Sequence, residues 1–157
     1  MTLTVGTDTY ISVTDADTYF GNRHYATTWT GSDKEKALRM AARAIDRENF
    51  LGTIATITQV QAWPRAGVVD SEGRAIDPAA IPQAIKDGQC ELALSYLNDD
   101  PTADDGLKGV RRVVADTVVM EYDGRAPVRR LPDIVMALIR PYLVPGSSGA
   151  SSAALVF

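Results

Sequence analysis

Apolar residues recur along this chain at spacings of three and four, and prolines and glycines cut the pattern into short helical stretches. The clearest follows Ser32-Asp33-Lys34-Glu35, where Ala37, Leu38, Ala41, Ala44, Ile45 and Glu48 fall on one side. Ser32 and Glu35 have capping-box spacing, in which the hydroxyl and the carboxylate each accept from the other's orphan backbone donor. That helix is expected to stop near Asn49-Phe50, with Gly52 just beyond it. Upstream, residues 1–12 read as an extended arm or short strand. A first helix from Asp15 to Thr27, entered at Thr14, would place Ala16, Tyr19, Phe20 and Arg23 on one face. A third helix opens at Ile81-Pro82, with proline at the first helical position. It would bury Ile85, Gly88, Leu92, Ala93, Tyr96 and Leu97 and end before Pro101. A fourth runs from Pro132 through Ile134, Val135, Leu138 and Ile139 to a break at Pro141.

Three stretches depart from the helical period. Residues 53–81 are irregular, and Pro64 drives Trp63 away from helical dihedrals, so the indole is expected on extended chain, plugging the core beneath a loop or, as the second possibility, anchoring an interface. Residues 110–122 alternate Val, Thr, Met and Tyr, which predicts a hairpin turning near Ala115-Asp116 with Val118, Met120 and Tyr122 on one face. A two-stranded hairpin is marginal alone, so this one must pack on the helices or on a neighbouring subunit. Residues 144–157 carry no charge, with a Gly/Ser/Ala middle and an apolar tip, Leu155-Val156-Phe157. Either that end frays, or it orders on a partner. The fold expected is mainly α: a small bundle of about four helices with an extended β-hairpin over residues 1–143, and a flexible C-terminal tail over 144–157.

Composition narrows the class. A chain of 157 residues that is 45% hydrophobic and 23% charged reads as one soluble globular domain. Net charge is −4, and each half (1–80 and 81–157) holds eight Lys/Arg against ten Asp/Glu, so no half is basic enough to grip nucleic acid as a whole. The single cysteine, Cys90, permits no internal disulfide and favours a reducing compartment. The first 20 residues hold neither a basic residue nor an apolar run, so no signal peptide is expected. No apolar run reaches the length of a membrane span, and no membrane partner is expected.

Candidate chemistry is sparse, and no catalytic, metal or cofactor site is expected. One histidine, His24, and one cysteine, Cys90, stand 66 positions apart and make a poor start for a metal site. Cys90 falls inside the third helix beside its apolar stripe, where a packed thiol is the ordinary outcome. The acidic run Asp99, Asp100, Asp104 and Asp105 lacks the ligand order of a calcium loop and has Pro101 in its middle. No nucleophile elbow or phosphate-cradling glycine loop occurs.

Charge leaves two places to consider. Lys34, Lys36, Arg39, Arg43 and Arg47 crowd the second helix, but Asp33, Glu35, Asp46 and Glu48 offset them, so this reads as a solvated face. Residues 106–140 carry Lys108, Arg111, Arg112, Arg125, Arg129, Arg130 and Arg140 against four carboxylates, a net of +3 (seven minus four). Single-strand binders interleave such charge with aromatic stacking platforms, and here only Tyr122 is available. A basic patch facing an acidic protein, or facing DNA in a channel, explains the charge equally well.

The ordered pieces Tyr10-x-Ser12, Asp15-Ala16-x-x-Tyr19-Phe20, Trp29, Lys36-Ala37-Leu38, Ala44-Ile45-Asp46, Phe50-x-Gly52, Trp63-Pro64-Arg65 and Ile81-Pro82-x-x-Ile85 resemble a tailed-bacteriophage protein family. It looks like the head-to-tail adaptor (connector) group, whose members are often labelled DnaT-like single-stranded DNA-binding proteins. The likeness spans roughly residues 10–97, and Trp63-Pro64-Arg65 is its most distinctive part. The resemblance implies a structural virion protein of the neck, made in the host cytoplasm and monomeric until assembly. It would form a homo-oligomeric ring, a dodecamer, joining the portal protein above to other neck or tail-completion proteins below. Leu155, Val156 and Phe157 would dock on the portal. Val118, Met120 and Tyr122 would meet the next subunit, and Arg111, Arg112, Arg129 and Arg130 would face a partner or the DNA in the lumen. The alternative is a single-stranded DNA-binding protein of phage DNA replication.

Overall fold

In the computed structural model, the residues described are 3–31, 33–99, 112–115, 118–121 and 131–146. Four α-helices, one 3-10 turn (Arg140–Tyr142) and two small antiparallel pairs make up the regular structure among them: α1 (Val13–Gly21), α2 (Lys34–Ile45), α3 (Gln83–Asn98) and α4 (Asp133–Ile139), with β1 (Thr53–Ile54) on β2 (Arg65–Ala66) and β3 (Arg112–Ala115) on β4 (Val118–Glu121). The mainly helical bundle with a hairpin is the architecture that the periodicity predicts.

The element ends differ from expectation in ways the hydrogen bonds explain. α1 begins two residues early because Ser12, not Thr14, is its cap, and the Ser12 hydroxyl accepts from the Asp15 amide at 3.1 Å. It also stops at Gly21 rather than Thr27. Asn22 and Arg23 fall back to three-residue bonds on Tyr19 and Phe20, and the chain turns away. α2 is led by Asp33, whose side chain makes no capping bond; the capping box expected between Ser32 and Glu35 involves Ser32, which lies outside the described residues. It ends at Ile45, four residues short of Asn49, where Arg47 and Glu48 again tighten onto Ala44 and Ile45. Pro82 and Pro132 each stand one position ahead of α3 and α4, as caps.

α3 is the central element. From Gly88 to Leu94 every residue is buried, so the helix is enclosed all round there rather than striped. α2 packs along one side and α4 along another. Gly88 lets α4 approach closely: a Cβ placed there would stand 3.1 Å from the Ile139 Cγ2 methyl. Leu38, Ile45, Ile85, Leu92, Val135 and Ile139 complete this core. Trp63, fully buried as expected, is flanked edge-on by Phe50 at 5.6 Å and Tyr142 at 5.7 Å.

A polar seam ties the arm before α1 into the bundle. Gln89, buried in α3, accepts from the Tyr10 amide at 2.9 Å and donates to the Thr9 hydroxyl at 2.6 Å and the Leu38 carbonyl at 2.8 Å. Every polar atom of that amide is thus satisfied, which is what makes a buried glutamine tolerable.

Candidate functional site

The Trp63-Pro64-Arg65 motif proves to be structural. The Arg65 guanidinium donates to the carbonyls of Leu51 (2.6 Å), Gly52 (2.8 Å) and Ala62 (3.1 Å), pinning the loop between β1 and β2 onto the chain leaving α2. Those bonds occupy the one cation lining an open groove of about 570 Å³ between Asp46, Phe50, Ile54, Val60 and Val144. Asp46, on the same groove, accepts from the Tyr10 phenol and the Ala62 amide. Burial nonetheless raises its carboxyl above the ordinary value. With Asp46 and Arg65 engaged in bonds that hold the fold, Glu48 is the remaining charged residue on the groove's lining.

Cys90 is buried, and burial, with Asp87, Glu91 and Asp15 nearby, pushes its thiol up to about 12, far from a reactive thiolate. His24 is exposed at the surface. Among the described residues no three of His, Cys, Asp and Glu stand close enough to share a metal ion. No helix among them is long and apolar enough to cross a membrane.

The outer face of α2 is where charge collects. At 100° per residue, Lys36, Met40 and Arg43 fall within about 60° of arc on α2, and Arg47 follows in the turn just past its end at Ile45. All four are exposed. Lys36 pairs with Asp33 at 2.7 Å, both ends open to solvent. Arg43 and Arg47 form no ion pair among the described residues. The offset expected from neighbouring carboxylates is therefore partial. Asp46 turns inward to Tyr10, and Arg39 leaves the stripe to pair with Asp8 at 3.3 Å. Tyr96 on α3 stands near Arg47: burial raises its phenol, and the Arg47 charge pulls the other way.

A second feature lies in the loop before α2. Arg23 forms a two-pronged bond to Glu91, Nε to Oε1 at 2.5 Å and Nη2 to Oε2 at 2.8 Å, and Tyr19 donates to the same Oε1 at 2.7 Å. Immediately beyond, the Tyr25 ring is 94% exposed. Further along, Trp29 folds back onto Phe20 with ring centroids 4.3 Å apart, and its indole donates to Asp17 at 2.8 Å. Sequence reading placed Tyr25 inside a helix and missed it. The available signal was Gly21-Asn22 ahead of it, a pair that favours ending a helix.

Most residues singled out from the sequence fall elsewhere. Arg111, Tyr122, Arg129, Arg130, Leu155, Val156 and Phe157 lie outside the described residues. In the hairpin, Arg112 is in register with Glu121, Val118 with Ala115, and Met120 with Val113.

Comparison with known proteins adds one finding. No curated protein and no solved structure matches the chain. A family model described as "Putative DnaT-like ssDNA binding protein" matches residues 2–156. That description overturns the expectation of a head-to-tail adaptor, because it names single-stranded DNA binding, which was the alternative, and no place in a virion neck. The portal, neck and ring partners belong to the overturned reading and have no support in the match. Since the match runs over nearly its whole length, the chain belongs to this DnaT-like family.

Proposed function

We propose that the protein binds single-stranded DNA, as a non-enzymatic component of phage DNA replication, with the outer face of α2 as its phosphate-binding surface. The family match over residues 2–156 carries this reading. The stripe Lys36, Arg43 and Arg47 supplies matching chemistry, since two of its three cations are free of carboxylates among the described residues. Cations spaced along α2 and the turn that follows it suit a flexible strand, whose phosphates can adjust to their spacing. Arginine adds a planar fork that meets two phosphate oxygens at once. An overall charge of −4 does not oppose this, because binding responds to the local field and not to the sum.

The test is fluorescence anisotropy of a labelled oligothymidylate over a salt series. Affinity should fall steeply with salt, with a log–log slope of about −0.7 per phosphate neutralised. The double variant Arg43→Ala/Arg47→Ala should flatten that slope by about 1.4, two contacts' worth. Wild-type protein that shows no salt-dependent affinity for single strands would refute the reading.

A further inference from the structure

We propose that Tyr25 is a stacking platform for one unpaired nucleobase; the inference rests on the single-strand reading above and adds the contact by which the strand is told from a duplex. Tyr25 is the most exposed aromatic residue among those described, at 94%. It is also the one non-glycine residue there with positive φ, +61°. A left-handed conformation is unfavourable for a side chain of this size, and backbone outliers of this kind concentrate where function needs a group held in place.

The surroundings hold it. Arg23 Nη1 donates to the His24 carbonyl at 2.9 Å, fixing the peptide that enters Tyr25. The same guanidinium is gripped by Glu91, a side chain only 3% exposed. Downstream, the Trp29 amide returns to the Ala26 carbonyl at 3.0 Å. The bend is thus braced on both sides while the ring it carries stands in water. Packing does not account for that ring: its nearest aromatic neighbour, His24, lies 6.2 Å away at 55°, and neither stacks on the other. His24 is also exposed.

A flat, open π-face on a rigid mount is suited to a flat, open π-ligand. Unpaired bases present such a face, whereas bases within a duplex have theirs covered by their neighbours. Stacking of this kind is indifferent to base identity, in keeping with a binder that does not read sequence. In sequence Tyr25 precedes α2 by nine residues, and Lys36 of the proposed phosphate surface stands in the first turn of that helix, so base and phosphate contacts would arise from neighbouring parts of the chain.

The probe is labelled oligothymidylate, with the matching duplex alongside, against wild type, Tyr25→Ala, Tyr25→Phe and Tyr25→Gly. Tyr25→Ala should weaken single-strand binding roughly 5- to 150-fold while leaving the salt slope unchanged. Tyr25→Phe should bind within about twofold of wild type, because stacking needs the ring and not the hydroxyl. Tyr25→Gly, relieved of the left-handed conformation, should melt no lower than wild type yet bind as poorly as Tyr25→Ala. If wild type binds and Tyr25→Ala binds equally well, or loses salt slope along with affinity, the stacking role is wrong and the single-strand reading stands. If wild type itself does not bind, both fail. Equal loss on the duplex would mean that Tyr25 meets something other than an unpaired base, and would also overturn the inference.

Discussion

The phenol of Tyr10 donates to the carboxylate of Asp46, joining a residue two positions ahead of α1's cap to the residue just behind α2. Two ends of chain that would otherwise diverge are held at one half-buried point, and the Ala62 amide adds the β1–β2 loop to it at 3.0 Å.

That pairing makes a stability prediction with a definite sign in pH. Tyr10→Phe leaves a half-buried carboxylate short of a donor and should cost about 1–3 kcal/mol. Asp46→Asn keeps an acceptor for both donors. Burial raises the Asp46 carboxyl above 3.8, so the folded state holds its proton more tightly than the unfolded chain does. That favours folding at low pH, and the advantage is lost as pH rises through the raised value. The stability of Asp46→Asn minus that of wild type should therefore grow between about pH 3 and pH 7, read by urea unfolding. A difference that stays flat across this range contradicts the assignment.

The same pairing shows why the bundle was legible in sequence and the candidate site was not. α2, α3 and α4 follow from apolar spacing and from Pro82, Pro132 and Pro141, which are local signals. The proline after Trp63 keeps it off a helix, also a local constraint, and the size of its apolar ring favours the core where it lies. The charge balance on α2 differs from the sequence pattern at one point, because Asp46, adjacent to the stripe in sequence, is drawn inward by a tyrosine 36 positions away. Tyr25 was hidden for the same kind of reason. The bend that exposes it depends on Arg23 meeting Glu91, 68 positions away, and a helix running on to Thr27 would have paired Tyr19 with Arg23 on its own face instead. Periodicity reports which residues are buried, not which distant partner redirects a charge.

Packing of α3 on α4 yields a prediction about Gly88. In an open helix, replacing glycine by alanine gains up to about 1 kcal/mol. Here the new methyl meets Ile139 Cγ2 at 3.1 Å, and both neighbours, Ile139 and Val135, are fully buried and have little room to yield. Gly88→Ala should therefore destabilise the protein by about 1–2 kcal/mol, as overpacking does. In an Ile139→Ala background the same change should become neutral or stabilising, because the clashing methyl is gone. A double-mutant cycle by thermal melts would measure a coupling of at least about 1 kcal/mol between the two sites, and independence would show that α3 and α4 are not in this register.

Glu91 offers a way to disturb the proposed base platform without touching it. It accepts three hydrogen bonds from Arg23 and Tyr19 while almost wholly buried, whereas Arg23 remains 28% exposed and can recover water if released. Glu91→Gln leaves one acceptor oxygen where there were two and turns an NH2 group toward the guanidinium, so the two-pronged grip fails. Because Arg23 rehydrates, the expected loss is about 1–3 kcal/mol, less than for a fully enclosed pair. Arg23 then no longer fixes the His24 carbonyl, and Tyr25 is free to leave its left-handed conformation. Oligothymidylate affinity should drop severalfold at a temperature where the variant is still fully folded, with the salt slope of the α2 stripe intact. Adding Tyr25→Ala to Glu91→Gln should then cost less affinity than Tyr25→Ala costs in wild type, since the mount is already loose. Strictly additive losses would show that Glu91 acts only on the stability of the bundle and not on the placement of the ring.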